Sequence, residues 1–168
     1  MKSIADLLIV HKAIEFGEFT LASGIKSQYY IDIKSAITNT DLLCTIASAI
    51  VQTHKFDVVA GVAVGGVPLA VASAIIAKKP YAIIRAAEKS HGKKEVIIGS
   101  VKNKNVLLVE DVTTSGESAL YGIETLRAAG ARADCVVTVV DREQGAEEKL
   151  ITQGVHLFPL VKVSQILY

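Results

Sequence analysis

No apolar run in this chain reaches the roughly 20 residues that a membrane-spanning helix requires. The longest candidate, Val67–Ala77, is short and begins beside Pro68. The N-terminus lacks a charged segment followed by an apolar stretch and a small-residue cleavage site, so a cytoplasmic protein is expected. An excess of one charge is lacking too. Eighteen Lys and Arg stand against 17 Asp and Glu, a formal net charge of +1. Attraction to polyanions needs a clear positive excess, so neither nucleic acid nor membrane is an expected partner. Only two cysteines occur, Cys44 and Cys135, both in apolar surroundings and expected as reduced, buried thiols. The four histidines (His11, His54, His91, His156) are scattered without metal-ligand spacing, which argues against a structural zinc site.

What is present is a core. The 168 residues are 51% hydrophobic and 21% charged, which suits one soluble domain. Apolar runs alternate with helical patterns, the mark of an α/β fold with a mostly parallel central sheet flanked by helices. Helices are expected over Ser3–Glu15, from an Asp41 cap to about His54, and over Val67–Ala77, Glu117–Ala129 and Glu147–Gln153. Strands are expected over Asp57–Ala63, Tyr81–Arg85, Val96–Val101, Val106–Val109, Cys135–Val140 and His156–Val163. Gly17–Asp32 is polar and turn-rich. Residues 1–35 fit the alternation poorly and are expected to form a small N-terminal hood on the 36–168 core.

In open parallel sheets ligands bind beyond the carboxyl ends of the strands. The richest such end is Val106–Ser118 (VLLVEDVTTSGES). A buried strand delivers Glu110 and Asp111, and a loop of Thr113, Thr114, Ser115 and Gly116 then opens a helix. A helix start exposes unpaired N–H groups and a positive dipole end, which suits phosphate. The acids oppose phosphate but suit sugar hydroxyls or hydrated Mg²⁺. A phosphorylated ribose meets both demands. The chain has neither G-x-x-x-x-G-K-[ST] nor G-x-G-x-x-G, so it is neither a P-loop nor a dinucleotide-binding protein. The bland alternative is a capped helix beside solvated acids. A second anion site is expected at Gly65-Gly66, between a strand and a helix with an early Pro68. Arg85–Lys94 is a basic, aperiodic loop suited to closing over an anion, or else a solvated surface loop. Arg142, after the strand Cys135–Val140, is suited to a carboxylate or to a salt bridge within the protein.

Together these segments resemble the orotate phosphoribosyltransferases. Val106–Ser118 resembles the phosphoribosyl-pyrophosphate motif of the type I superfamily. Phe16–Gly24 (FGEFTLASG) with Ser27–Asp32 (SQYYID) resembles that family's orotate-side segment. Arg85, Lys89, His91 and Gly92 resemble its catalytic lid, and Asp141-Arg142 its orotate-binding pair. The resemblance implies transfer of ribose 5-phosphate from 5-phosphoribosyl 1-pyrophosphate to orotate, with Mg²⁺ bound through substrate and water rather than by protein ligands. It implies Lys89, His91 and Asp111 as catalytic groups. The donor would be held by Gly65, Gly66, Arg85, Lys89, His91 and the run Glu110, Asp111, Val112, Thr113, Thr114, Ser115, Gly116, Glu117 and Ser118. Orotate would meet Thr114, Arg142, Tyr29 and Tyr30. It also implies a homodimer whose lid reaches the neighbouring site. Many members carry Lys where this chain has Ala22, Gly65 and Ala86.

Other functions share part of this pattern. A purine phosphoribosyltransferase has the ribose motif but is not expected to have the Asp-Arg pair or the Ser-Gly…Tyr-Tyr segment. A non-catalytic, nucleic-acid-binding sensor of phosphoribosyl pyrophosphate needs a basic face, against which the net charge argues. A metal-dependent hydrolase lacks its carboxylate–histidine cluster.

Overall fold

The computed structural model describes residues 2–86 and 95–167. Ser3 starts the first helix, α1 (Ile4–Val10), through a reciprocal cap: its hydroxyl accepts the Asp6 N–H at 3.1 Å, and the Asp6 carboxylate accepts the Ser3 N–H at 3.0 Å. The helix is shorter than its apolar stripe suggests. Lys12 turns left-handed at φ 56°, and Ile14 enters a strand opposite Ile31 instead of a fourth helical turn. The polar, turn-rich segment that follows is an antiparallel hairpin, β1 (Ile14–Thr20) and β2 (Lys26–Ile31). Its alternation was hidden by exposure of both faces. Asp32 caps a one-turn helix, α2 (Ile33–Ala36), by accepting the Ser35 N–H at 3.0 Å.

Asn39, not Asp41, caps α3 (Thr40–Thr53); its Oδ1 accepts the Leu42 N–H at 3.0 Å. The core then runs β3 (Val58–Val62), α4 (Gly66–Ala77), β4 (Tyr81–Ile84), β5 (Ile97–Ile98), β6 (Val106–Thr113), α5 (Glu117–Ala128), β7 (Cys135–Asp141), α6 (Ala146–Ile151) and β8 (His156–Lys162). The six strands form one sheet in the order β5-β4-β3-β6-β7-β8, parallel except for the edge strand β5. β5 keeps only two residues of the expected Val96–Val101, because Gly99 leaves extended geometry at φ 108° and presses against the β4 backbone.

Residues of β3 and β6 alternate between two cores, as the period of a strand requires. Val59, Leu107 and Val109 pack with Ile46, Ile50 and Leu69 of α3 and α4, along with the hood. Val58, Ala60, Val106 and Leu108 pack with Ile123 and Leu126 of α5 and Leu150 of α6. Both sheet faces are therefore covered, which is why these strands read as unbroken apolar runs. Burial of side chains such as Leu108 and Ile123, both 0% exposed, stabilises the sheet by about 1.5–3 kcal/mol each. The expected mostly parallel α/β architecture is borne out. Of the two cysteines, Cys135 is buried but Cys44 is exposed on α3.

The chain leaves β3 toward β4 on one side, whereas β6 leads to β7 and β8 on the other. The strand order therefore reverses between β3 and β6. That crevice, at the carboxyl ends of both strands, is where an open parallel sheet binds ligands.

Candidate active site

β6 extends four residues beyond the expected Val109, so Glu110, Asp111, Val112 and Thr113 are strand rather than loop. Glu110 and Asp111 are only 4% and 6% exposed. They are not solvated acids. Burial, and then the neighbouring Asp111, push the Glu110 carboxyl up to about 7, against the pull of a hydrogen bond from Ser118 and of Lys34. The Ser118 hydroxyl donates to Glu110 Oε1 at 3.1 Å. Asp111 pairs with Lys34 of α2 at 2.8 Å, and this partner raises the lysine pKa.

The loop after β6 leads into α5 through Gly116, buried and left-handed at φ 83°. A side chain at Gly116 is excluded twice, by that φ and by Ala146, 3.1 Å from where its Cβ would stand. Among the described residues no side chain caps α5. Thr114 and Ser115 are exposed and do not satisfy the first N–H groups, so the helix start is not the capped end of the bland alternative. Its donors face a cavity of about 250 Å³ lined by Glu110 and Val112–Ala119. Helix dipole and donors together favour an anion of phosphate size there. Among the described residues a larger hollow of about 660 Å³ lies between β5 and α5, but its lining includes neither this helix start nor Glu110 and Asp111.

Across the crevice, α4 begins at Gly65 and Gly66, again without a side-chain cap. Each glycine answers to close approach rather than to unusual backbone. A Cβ on Gly65 would lie 2.5 Å from the Asp111 carboxylate, and one on Gly66 would lie 2.6 Å from the Val109 carbonyl oxygen. The glycine pair expected as a second anion site thus lies directly against Asp111. β4 ends beside it. The Arg85 N–H donates to the Val96 carbonyl at 2.8 Å, and the Tyr121 hydroxyl donates to the Arg85 carbonyl at 3.1 Å, which fixes the backbone and leaves the exposed guanidinium to the edge. Lys89 and His91 lie outside the described residues.

At the end of β7, the buried Asp141 ties two loops together. Its Oδ1 accepts from the Thr113 hydroxyl at 3.0 Å and from the Glu143 N–H at 3.2 Å, while the Arg142 N–H donates to the Thr113 carbonyl at 2.9 Å. Arg142 is thereby aimed at the hood. Its guanidinium lies 5.1 Å from the centre of the Tyr29 ring. Its buried Nε has no hydrogen-bond partner among the described residues. Tyr30 does not join this pair. As the next residue of β2 it faces the other way and packs on Phe19, with ring centres 5.7 Å apart. The structure therefore brings together Gly65, Gly66, Glu110–Ser118, Arg142 and Tyr29, and sets Tyr30 apart. It adds Lys34, which has no sequence signal: its partner lies 77 positions away, and a lone lysine on a short helix is ordinarily surface.

Residues 35–156 match the family model described as phosphoribosyl transferase domain. Over 98% of its length the chain is 61% identical to the orotate phosphoribosyltransferase of Methanocorpusculum labreanum, covering 97% of that protein. It is 60% identical to that of Methanoculleus marisnigri over 98% of its length and 96% of the relative's. The crystal structure of orotate phosphoribosyltransferase from Aeropyrum pernix superposes with a TM-score of 0.87 at 32% identity, covering 98% of this chain and 96% of that one. An uncapped helix start, two buried acids and an arginine whose Nε lacks a partner among the described residues thus occur on one sheet edge of a chain that belongs to the phosphoribosyl transferase domain family, among the orotate phosphoribosyltransferases.

Proposed function

We propose that this chain transfers ribose 5-phosphate from 5-phosphoribosyl 1-pyrophosphate to orotate, releasing orotidine 5′-monophosphate and pyrophosphate. One observation carries the choice of acceptor: Arg142 has a buried Nε without a partner among the described residues and stands over Tyr29, at the same edge as the α5 phosphate cradle. A planar anionic ring bearing a carboxylate supplies both the acceptor and the flat face that these two side chains lack.

The start of α5, with Thr113–Ser118, holds the 5-phosphate. Glu110 and Asp111 accept the ribose hydroxyls. The α4 start at Gly65-Gly66, with Arg85, Lys89 and His91, takes the pyrophosphate. As the C1–oxygen bond to pyrophosphate breaks and the bond from C1 to the ring nitrogen forms, positive charge develops on the ribose. The two acids lie beneath that charge, while cations and N–H groups receive the departing anion. Lys89 or His91 stabilises or protonates the leaving oxygen. Among the described residues no three His, Cys, Asp or Glu converge, and one of the two paired acids already holds Lys34. These residues fit Mg²⁺ carried by substrate oxygens and water, with Glu110 and Asp111 accepting from that water. An ion held in that way would supply charge compensation for the pyrophosphate.

A homodimer fits the exterior. Helix α4 (GVPLAVASAIIA) carries no charge, and Ile75 is 71% exposed on it, with Ile76, Tyr81 and Ile98 exposed nearby. A helix that is apolar all round is ordinarily covered, and a second copy covers this one. Sedimentation at monomer mass would remove that part of the reading. The activity itself is tested by incubating the protein with orotate, phosphoribosyl pyrophosphate and Mg²⁺ and following orotate consumption. Turnover is expected. No turnover with orotate, accompanied by turnover with a purine base, overturns the assignment.

A further inference from the structure

Asp111 is held from two sides. The Gly65 backbone lies so close that a Cβ there would stand 2.5 Å from the carboxylate, and Lys34 approaches at 2.8 Å. Lys34 is not a chance surface contact. It belongs to α2, which Asp32 caps through the Ser35 N–H at 3.0 Å and the Ser35 hydroxyl at 2.7 Å. The preceding Ile33 is 1% exposed and anchors the turn in the core. The base of Lys34 is thus fixed, whereas its side chain is 59% exposed and only its Nζ meets the buried Asp111. A half-exposed ion pair adds little stability. Its placement over the buried acids calls for another use.

A donor carrying several phosphate charges must settle against two adjacent carboxyls. Unscreened, the two sets of oxygens repel. An ammonium has three donors on a flexible four-carbon stem, so it can serve a carboxylate and a phosphate oxygen together. Each carboxylate oxygen also has lone pairs enough to accept both Lys34 and a hydroxyl. We propose that Lys34 is a positioning residue, which orients Asp111 toward the ribose hydroxyls and bridges it to a phosphate oxygen of the bound donor. The proposal rests on the ribose-site reading above but not on the identity of the acceptor base.

The test uses Lys34→Met and Lys34→Arg in the full chain. Lys34→Met is expected to weaken phosphoribosyl pyrophosphate, raising its KM and its calorimetric Kd in Mg²⁺ about tenfold or more, with KM for orotate within about twofold of wild type. Lys34→Arg keeps the charge and is expected to recover most of the loss. In an Asp111→Asn background, Lys34→Met is expected to raise the Kd clearly less than it does in wild type, since the tie to the carboxylate is already broken. A Kd unchanged in Lys34→Met, an Arg variant as weak as Met, or an equal loss in the Asp111→Asn background overturns the proposal. Calorimetry separates this from the activity. Tight donor binding without orotate turnover defeats the acceptor assignment and leaves the lysine decided by its own Kd values.

Discussion

The Arg142 guanidinium lies 5.1 Å from the centre of the Tyr29 ring, so the end of β7 meets the N-terminal hairpin across the mouth of the site. The arginine comes from the sheet and the tyrosine from the hood, 113 positions earlier in the chain. Neither element supplies both side chains of this contact.

The function of that pair is measurable. Arg142→Ala is expected to raise KM for orotate about tenfold or more, the cost of a lost charge-assisted contact, and to leave KM for phosphoribosyl pyrophosphate nearly unchanged. Arg142→Lys is expected to recover little, because an ammonium has neither the fork nor the flat face. Steady-state kinetics with each substrate varied in turn decides it. An equal rise in both KM values would remove Arg142 from the acceptor side.

Gly65 is expected to be required for activity more than for folding. Its backbone is ordinary right-handed helix at φ −61°, so alanine is conformationally acceptable there. The added Cβ instead meets the Asp111 carboxylate, which must move. Gly65→Ala is therefore expected to lower kcat/KM at least tenfold while shifting stability by about 1 kcal/mol or less. By contrast, the Gly66 Cβ meets backbone at the Val109 carbonyl, so Gly66→Ala is expected to destabilise the fold itself. Denaturant melts beside kinetics separate the two variants.

Glu110 destabilises the fold as the pH rises to neutral. Its carboxyl is pushed up to about 7 by burial first and Asp111 second, with Ser118 and Lys34 opposing, from 4.5 in the unfolded chain. Between those values the folded protein holds a proton that the unfolded chain has lost. Stability from this group is complete below about 4.5 and declines as pH rises through about 7. Glu110→Gln removes the decline. The variant is expected to match wild type near pH 4.5, to exceed it at pH 8 by up to about 3 kcal/mol, and to lose activity. Urea denaturation at the two pH values checks this. A wild type that gains stability between them relative to the variant would contradict the assignment.

The α/β architecture was legible because each buried strand is an unbroken apolar run and each helix starts at a recognisable polar or glycine break. Ends were less legible. β6 continues through Glu110 and Asp111, and no local propensity favours two acids in a buried strand. Pairing with β7, as in Glu110 opposite Thr138 and Thr113 opposite Asp141, carries the strand on. The hairpin of β1 and β2 is legible only as a polar, turn-rich segment because both its faces are largely exposed, which removes the apolar alternation that marks a half-buried strand.

By itself the sequence determined that a strand, two acids, hydroxyl residues and a glycine stand together at Val106–Ser118, because those residues are contiguous and a helix start follows them. Tertiary structure alone decided which distant residues meet that segment. Lys34 reaches Asp111, Gly65 lies against it, and Arg142 turns toward Tyr29 rather than Tyr30. These relations depend on strand order, on the side of the hairpin that each residue occupies, and on the depth to which each acid is buried. None of the three is a property of neighbouring residues in the chain.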